Sequence, residues 1–480
     1  MSARERLVGL VRHPLPWILL LALLIRLQSA GHIRSTDDVV YGLAARDLVN
    51  GEFAIAGSFH RLRLGLILPV AGAYALFGVR LWGAVLFPLL ASLGSIAVLY
   101  RLVNRASGRR AAAVASLFLA VSTQHALSGS EVFPDAPVGF WVLLSYLLLE
   151  EGRDRPGRAP WLAGSGLCLY LGVATRIDAV KMIPAFLALG AFAIRRQGFD
   201  RSLLAWPGAL AGALAVDALL FEVFSEGVRV RYLELFPAVE GWATSPASRQ
   251  LGIWPMLKSL ASPFGAFGIL FPAAAAGAIL AARGRRLGAA LWMGGWILGT
   301  ALLVAAVYRI ADGRHYTLLS PFVAWFAAEA MAAVPRPRLR AVLVVFLAIA
   351  GAVLFHVRLP LDRSEAYARL RDALKGRDGP VYADPRTAPA LELYFPEMTV
   401  RDYTRQPALP PCRLIDYESM RAVDRNLYGR DPFPSFPTLP EGVVEVPMRG
   451  LPLVRDLAAP LRRWRGLGRE QIRVLRAVGP

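Results

Sequence analysis

The chain has 480 residues, of which 55% are hydrophobic and only 19% charged, and its mean hydropathy is +0.45. One or two water-soluble cores do not call for so much apolar side chain, so lipid is the expected solvent for most of it. The formal charge of +19 also suits nucleic acid, but the arginines lie between apolar runs, as in the cytoplasmic loops of a membrane protein, and the two cysteines, Cys168 and Cys412, give no disulfide framework.

In chain order, a basic flank with Arg4, Arg6 and Arg12 precedes an apolar run at 14–30 that lacks a small-residue cleavage site, so a retained first span with a cytoplasmic N-terminus is expected. Further basic clusters stand at Arg101 to Arg110, Arg153 to Arg158, Arg195 to Arg201, Arg283 to Arg286 and Arg336 to Arg340. If every cluster is cytoplasmic, an even number of spans separates each from the next. The short run 64–78, with Pro69 and three glycines, is then an interfacial or re-entrant helix, and 81–100 is a span. The others pair as 111–127 with 136–150, 160–175 with 178–194, 203–224 with 258–282, and 289–308 with 317–334, before a last span at 341–357. This makes a mainly α, polytopic membrane protein of about 11 transmembrane helices over 1–358, followed by a small extracytoplasmic α/β domain over 359–480.

The outer segments hold the residues suited to chemistry. The segment HIRSTDDVVYGLAARDLVNGEF sets Asp37 and Asp38 after the first span, as general-base candidates, as ligands for a divalent cation, or simply as the cap of the helix that follows. Asp135, with Pro137 behind it, opens a span at the same face, and both capping and chemistry suit it; Glu131 is nearby. A tight outer turn carries Arg176, Asp178 and Lys181, charges that near lipid are either paired or functional. Arg309, Arg314, His315 and Tyr316 precede a late proline-containing span, where guanidinium groups suit phosphate oxygens or snorkel from a helix end. Arg61 and Arg63, ahead of the run at 64–78, join Tyr41 in the set expected to bind substrate. Between 225 and 257, Arg229, Arg231, Glu234, Glu240, Trp242 and Arg249 lie among Tyr232, Phe236 and Trp254, in a pattern that reads first as interfacial anchoring and second as a sugar or prenyl contact.

The first loop resembles the signature of the GT-C membrane glycosyltransferases, especially the branch of the protein O-mannosyltransferases and the lipid A aminoarabinose transferases. Asp37, Asp38, Tyr41, Ala44, Ala45, Arg46, Leu48 and Gly51 stand where that pattern has an acidic pair, a tyrosine and a helix, with Asp38 in place of the usual glutamate. The resemblance implies catalysis by Asp37 with Asp38 as partner, a second conserved acid at Asp135, and a basic residue near Arg176. It also implies an Arg-Tyr segment near 314–316, from which this chain departs by inserting His315. The implied function is transfer of a sugar from a polyprenyl-phosphate donor to an envelope glycan, lipid or protein, with inversion, at the outer face of a bacterial inner membrane. Related mannosyltransferases work without a metal, so a divalent cation at Asp37 and Asp38 stays open. The alternative is a multi-spanning transporter or flippase of lipid-linked sugars, against which stand the clustering of charge at one face and the lack of paired broken helices.

In the C-terminal part, 380–384 reads as a strand, Pro385 begins a helix, and 399–403 reads as a second strand, a βαβ-like alternation. Its expected place beside the outer loops suggests acceptor recognition, and the tail RRWRGLGRE suits anionic headgroups. No Walker loop, zinc motif or dinucleotide fingerprint is present, which fits a lipid-linked donor.

Overall fold

The computed structural model describes residues 13–30, 37–54, 59–153, 155–224, 253–262, 266–284, 287–308, 313–358, 363–375, 380–395, 398–403, 413–417, 438–446 and 470–477. Helices α1 (Pro14–Leu27), α2 (Asp37–Val49), α3 (Leu64–Phe77), α4 (Leu81–Ser107), α5 (Arg109–Val121), α6 (Thr123–Ser128), α7 (Asp135–Arg153) and α8 (Ala159–Thr175) come first. They are followed by α9 (Ile183–Gln197), α10 (Ala205–Phe224), α11 (Ile253–Ala261), α12 (Leu270–Arg283), α13 (Gly288–Tyr308), α14 (Ser320–Ala332) and α15 (Pro337–Arg358). Among the described residues, five helical stretches are long and apolar enough to cross a membrane, and α1, α3, α8 and α12 are shorter apolar helices. The chain is a membrane protein.

Several expected spans are modified. The run 258–282 is divided between α11 and α12, and 111–127 breaks at the extended Ser122 into α5 and α6. Those expected at 178–194 and 317–334 start as 3-10 turns, Ile177–Met182 and Gly313–Leu319. Helix α3 is regular despite Pro69, and its 14 residues reach only about 21 Å, short of a hydrocarbon core of about 30 Å.

Helices α7 and α8 set the vertical scale. The 19 residues of α7 cover about 28 Å, with Asp135 at one end and Arg153 at the other. At the Arg153 end the buried Glu151 receives Arg101 at 2.8 Å, Arg155 at 2.6 Å and Arg105 at 3.7 Å, while Arg158 pairs with Asp200 at 2.7 Å. At the other end lie Asp135 and Arg176. The two charged layers are thus one bilayer core apart.

The break at Ser122 has a polar cause that the apolar pattern does not disclose. Arg26 of α1 is fully buried and donates through Nε to Ser92 Oγ at 2.7 Å, and through Nη1 to the carbonyls of Ala22 at 3.0 Å and Ala120 at 3.1 Å. Its Nη2 lies 2.8 Å from His125 Nδ1. The guanidinium therefore takes up a carbonyl left over at the end of α5 and ties α1, α4, α5 and α6 together. Gly129 permits this, because a Cβ there would come within 2.4 Å of Ser92 Cβ.

Beyond α15 the chain forms α16 (Arg363–Leu374), β1 (Val381–Ala383), α17 (Thr387–Tyr394), β2 (Val400–Asp402), β3 (Arg413–Asp416), β4 (Thr438–Val446) and β5 (Glu470–Ala477). The sheet order is β2-β1-β3-β5-β4, with β1 parallel to β2 and β3, and β5 antiparallel to β3 and β4. The strand–helix–strand alternation expected across 380–403 is present as β1–α17–β2. Asp384 starts α17 by accepting from the amides of Arg386 at 3.0 Å and Thr387 at 2.9 Å. Helix α16 was not expected; Ala366, Tyr367, Leu370 and Leu374 give it one apolar face, which packs into the sheet core.

The Arg26 junction is testable. In Arg26→Lys an ammonium keeps the charge but loses the fork that reaches Ser92, Ala120 and His125 together, so a loss of about 3 kcal/mol is expected. Thermal unfolding of the detergent-purified protein measures it, and a midpoint equal to wild type would show that the fork is not what holds these helices.

Candidate functional site

Helix α2 opens on two carboxylates, Asp37 and Asp38, in its first turn, where the helix dipole favours negative charge. Neighbouring positions on a helix point about 100° apart, and the two acids serve different surroundings. Asp37 keeps 32% of its side chain exposed, and its Oδ1 lies 3.5 Å from His60 Nε2. Asp38 is 2% exposed and lies close enough to Tyr74 and Tyr394 to act on both electrostatically.

Three further segments gather around Asp37 and Arg63: the stretch 59–63, the start of α7 and the turn at 176–181. The turn Phe59–Leu62 brings His60, whose ring meets Tyr41 edge-on with centroids 5.5 Å apart. Next comes half-buried Arg63, which donates to the Tyr41 hydroxyl. Burial, then the neighbouring Arg176, pulls the Arg63 pKa down to about 10, while Asp37, Asp135 and Asp178 pull the other way, so it stays charged near neutral pH. The second segment is the start of α7, where buried Asp135 holds Nη1 of Arg176, from the third segment, at 2.5 Å. Arg176 Nε also reaches Asp178 Oδ1 at 2.9 Å, and Asp178 Oδ2 lies 3.3 Å from Lys181 Nζ. Trp296 of α13 fixes this turn by donating to the Lys181 carbonyl at 2.7 Å.

The outcome is an alternating set of three acids, Asp37, Asp135 and Asp178, and three cations, Arg63, Arg176 and Lys181, at one end of the helices. Gly65 permits the close approach of α3 to α8: a Cβ there would stand 2.5 Å from Thr175 Oγ1 and 2.6 Å from its amide nitrogen. Arg63 lies two residues before this contact and Arg176 directly after it, so packing at Gly65 sets the two guanidinium groups side by side.

Not every expected residue joins the set. Arg61 donates to Asp47 at 2.5 Å and to the Ala54 carbonyl at 2.8 Å, which gives it a structural role at the foot of α2. Tyr316 is 1% exposed, with its ring in the apolar core 6.1 Å from that of Phe267, and is not an accessible substrate contact. Arg309 and the loop residues Arg229, Arg231, Glu234, Trp242 and Arg249 lie outside the described residues, as do the side chains of Arg314 and His315. Among the described residues no three His, Cys, Asp or Glu side chains gather as a metal set, and with Asp37 and Asp38 turned to different neighbours the donor geometry gives no support to a shared cation. His60 and Asp178 complete the cluster; an Asp between Arg176 and Lys181 was visible as a pairing partner, whereas nothing local marks His60.

Residues 69–223 match the family model described as dolichyl-phosphate-mannose-protein mannosyltransferase, a stretch that contains Asp135, Arg176, Asp178 and Lys181. The Bacillus subtilis protein YkcB, which carries the name of a mannosyltransferase, is 30% identical over 113 residues, 23% of this chain, and the match spans 16% of its own length. ArnT from Cupriavidus metallidurans bound to undecaprenyl phosphate superposes with a TM-score of 0.62 at 15% identity over 98% of both chains. The mycobacterial arabinofuranosyltransferase AftD gives a TM-score of 0.51 at 16% identity, covering 88% of this chain and 34% of its own. The expected resemblance to the GT-C glycosyltransferases therefore stands, in fold along the whole chain and in sequence over residues 69–223.

The contact at Gly65 yields a sign-reversing test within one helix. Gly65→Ala is expected to cost about 1–3 kcal/mol because the backbone of Thr175 must move. Gly72→Ala, with nothing within 4 Å of its would-be Cβ, is expected to be neutral or stabilising by up to about 1 kcal/mol. Thermal unfolding of the two variants side by side checks the difference.

Proposed function

We propose that a protein of this fold, with this arrangement of acids and cations, is a glycosyltransferase that takes sugar from a polyprenyl-phosphate donor. The observation that carries the reading is the convergence of Asp37, Arg63, Asp135, Arg176, Asp178 and Lys181, from four separate segments, at one end of the helices. A lipid phosphate at that end would leave its chain in the bilayer and its sugar at the surface.

In this reading Asp37 is the general base. It takes the proton of an acceptor hydroxyl or amine, the acceptor atom bonds to the anomeric carbon from the face opposite the phosphate, and the bond from that carbon to the phosphate oxygen breaks. The configuration inverts and polyprenyl phosphate leaves with the bonding pair. Arg63, Arg176 and Lys181 stabilise the charge growing on the phosphate, and because neighbouring acids already hold Arg176 and Lys181, they need not reorganise during the reaction. Tyr41 orients Arg63 and Asp135 orients Arg176, so the catalytic role expected for Asp135 becomes one of positioning. His60 braces the Asp37 carboxylate when its ring is protonated. No step passes through a metal.

The arginine-rich layer around Glu151 supports, through the positive-inside rule, a reading in which that end and the N-terminus are cytoplasmic, and Asp37 and a C-terminal domain over 359–480 lie outside, in a bacterial inner membrane. The acceptor is an envelope glycan, lipid or protein. A transporter or flippase is the weaker reading, since such proteins bind near the midplane, and these charges lie at one end of α7 and α8.

The test is transfer of radiolabelled sugar from polyprenyl-phosphate donors into a membrane extract, at matched expression. Asp37→Asn is expected to lower transfer by roughly 10²–10⁴-fold. Equal transfer by variant and wild type would remove Asp37 from the mechanism, and no transfer from any donor would overturn the enzyme reading.

A further inference from the structure

Asp38, Gly42 and Arg46 follow one another at intervals of four along α2 and so form one line on its surface. Each meets α17 of the C-terminal α/β region. A Cβ at Gly42 would stand 2.7 Å from Leu393 Cδ2, 3.0 Å from the Tyr394 hydroxyl and 3.3 Å from the Tyr74 hydroxyl. Arg46 Nη1 lies 3.5 Å from Glu392 Oε1. Asp38 is buried beside the two tyrosines, and the Tyr394 phenol is pushed well above its ordinary pKa, by burial first and then by Tyr74 and Asp38. Next to this line, Val39 is buried with Leu391, Leu393, Tyr367, Leu370 and Ile415 in the core of the C-terminal sheet, and Leu43 packs against it.

The polar part of this contact is unusual for a simple docking face, because a carboxylate is costly to bury without hydroxyl or cationic neighbours and contributes little that apolar packing would not. Its value lies in direction. The carboxylate is adjacent in sequence to Asp37, so whatever fixes Asp38 fixes the first turn of α2 as well.

We propose that Asp38, Tyr394 and the notch at Gly42 form a latch by which the C-terminal α/β region sets the Asp37 end of α2. Asp38 and Tyr394 are positioning residues that act through Asp37 and do not touch the reacting atoms. This rests on Asp37 being the base and goes beyond it, since it gives the C-terminal region a part in catalysis that is separate from any recognition of the acceptor.

The test uses the full-length protein in lipid nanodiscs with two conservative variants, Tyr394→Phe and Asp38→Asn, and two readouts. The turnover number is expected to fall roughly tenfold in each, with the donor KM within about twofold of wild type, because Arg63, Arg176 and Lys181 are untouched. Amide hydrogen exchange across 37–49 is expected to quicken while exchange across 135–153 stays as in wild type. Wild-type exchange over 37–49 in both variants would overturn the latch whether or not turnover fell, and so would quickened exchange with full turnover. If Asp37→Asn kept full transfer, the assignment of the base would fail instead, and exchange would still judge whether α17 holds α2.

Discussion

Helix α2 is shared by two cores, and most of the site depends on that constraint. Val39 and Leu43 leave it toward the C-terminal sheet, whereas Tyr41, Ala44 and Ala45 leave it toward α3, α4 and the turn ahead of α7, where Val132 and Phe133 lie. A 13-residue helix is marginal in isolation. Packed from two sides it can neither rotate nor slide without opening one core, and Asp37 at its first turn inherits that rigidity. The small side chains of Ala44 and Ala45 and the bare backbone of Gly42 let both sides come close.

The charges follow a second rule, that a cation near the hydrocarbon boundary is placed with an acid or a polar neighbour. Arg176 lies between Asp135 and Asp178, Lys181 takes the far oxygen of Asp178, and Arg63 rests on Tyr41 within the fields of three aspartates. Pairing of this kind does little for net stability, but it fixes where positive charge stands, which is what a developing phosphate dianion requires. Arg26 applies the same rule deeper in the helices, with carbonyls, a serine and a histidine in place of carboxylates. The Glu151 layer applies it at the opposite end, leaving an excess of arginine there.

Much of this was readable from local pattern. Apolar runs between arginines gave the membrane class, the acidic pair gave the start of α2, and Asp135 and the 176–181 turn were marked by charge beside apolar segments. A helix start at Pro385 between strand-like stretches at 380–384 and 399–403 gave β1–α17–β2. What was missed depends on partners far apart in sequence. Nothing near Arg61 shows that Asp47 claims it, and nothing near His60 shows that it meets Asp37. Asp37 and Asp38 read as a pair because they are adjacent, yet helical geometry sends them to different neighbours. The break within 258–282 falls at Ser262, Pro263 and Gly265, and the turn at Ser122 falls within the polar stretch Ser122, Thr123, Gln124 and His125, short signals that are averaged away in the hydropathy of the apolar runs around them.

The proposed seat for a lipid-linked phosphate is the set of cations Arg63, Arg176 and Lys181, in which Arg63 lies within the fields of Asp37, Asp135 and Asp178. The most direct measurement is equilibrium binding of a polyprenyl phosphate carrying no sugar to the purified protein, comparing wild type with Arg63→Met and with Arg61→Met. Loss of one charge-assisted contact should weaken binding by roughly tenfold to a hundredfold in Arg63→Met. Arg61→Met, whose native partner is Asp47, should bind as wild type does. Equal affinity in all three, or a loss confined to Arg61→Met, would contradict the placement of the phosphate at this site.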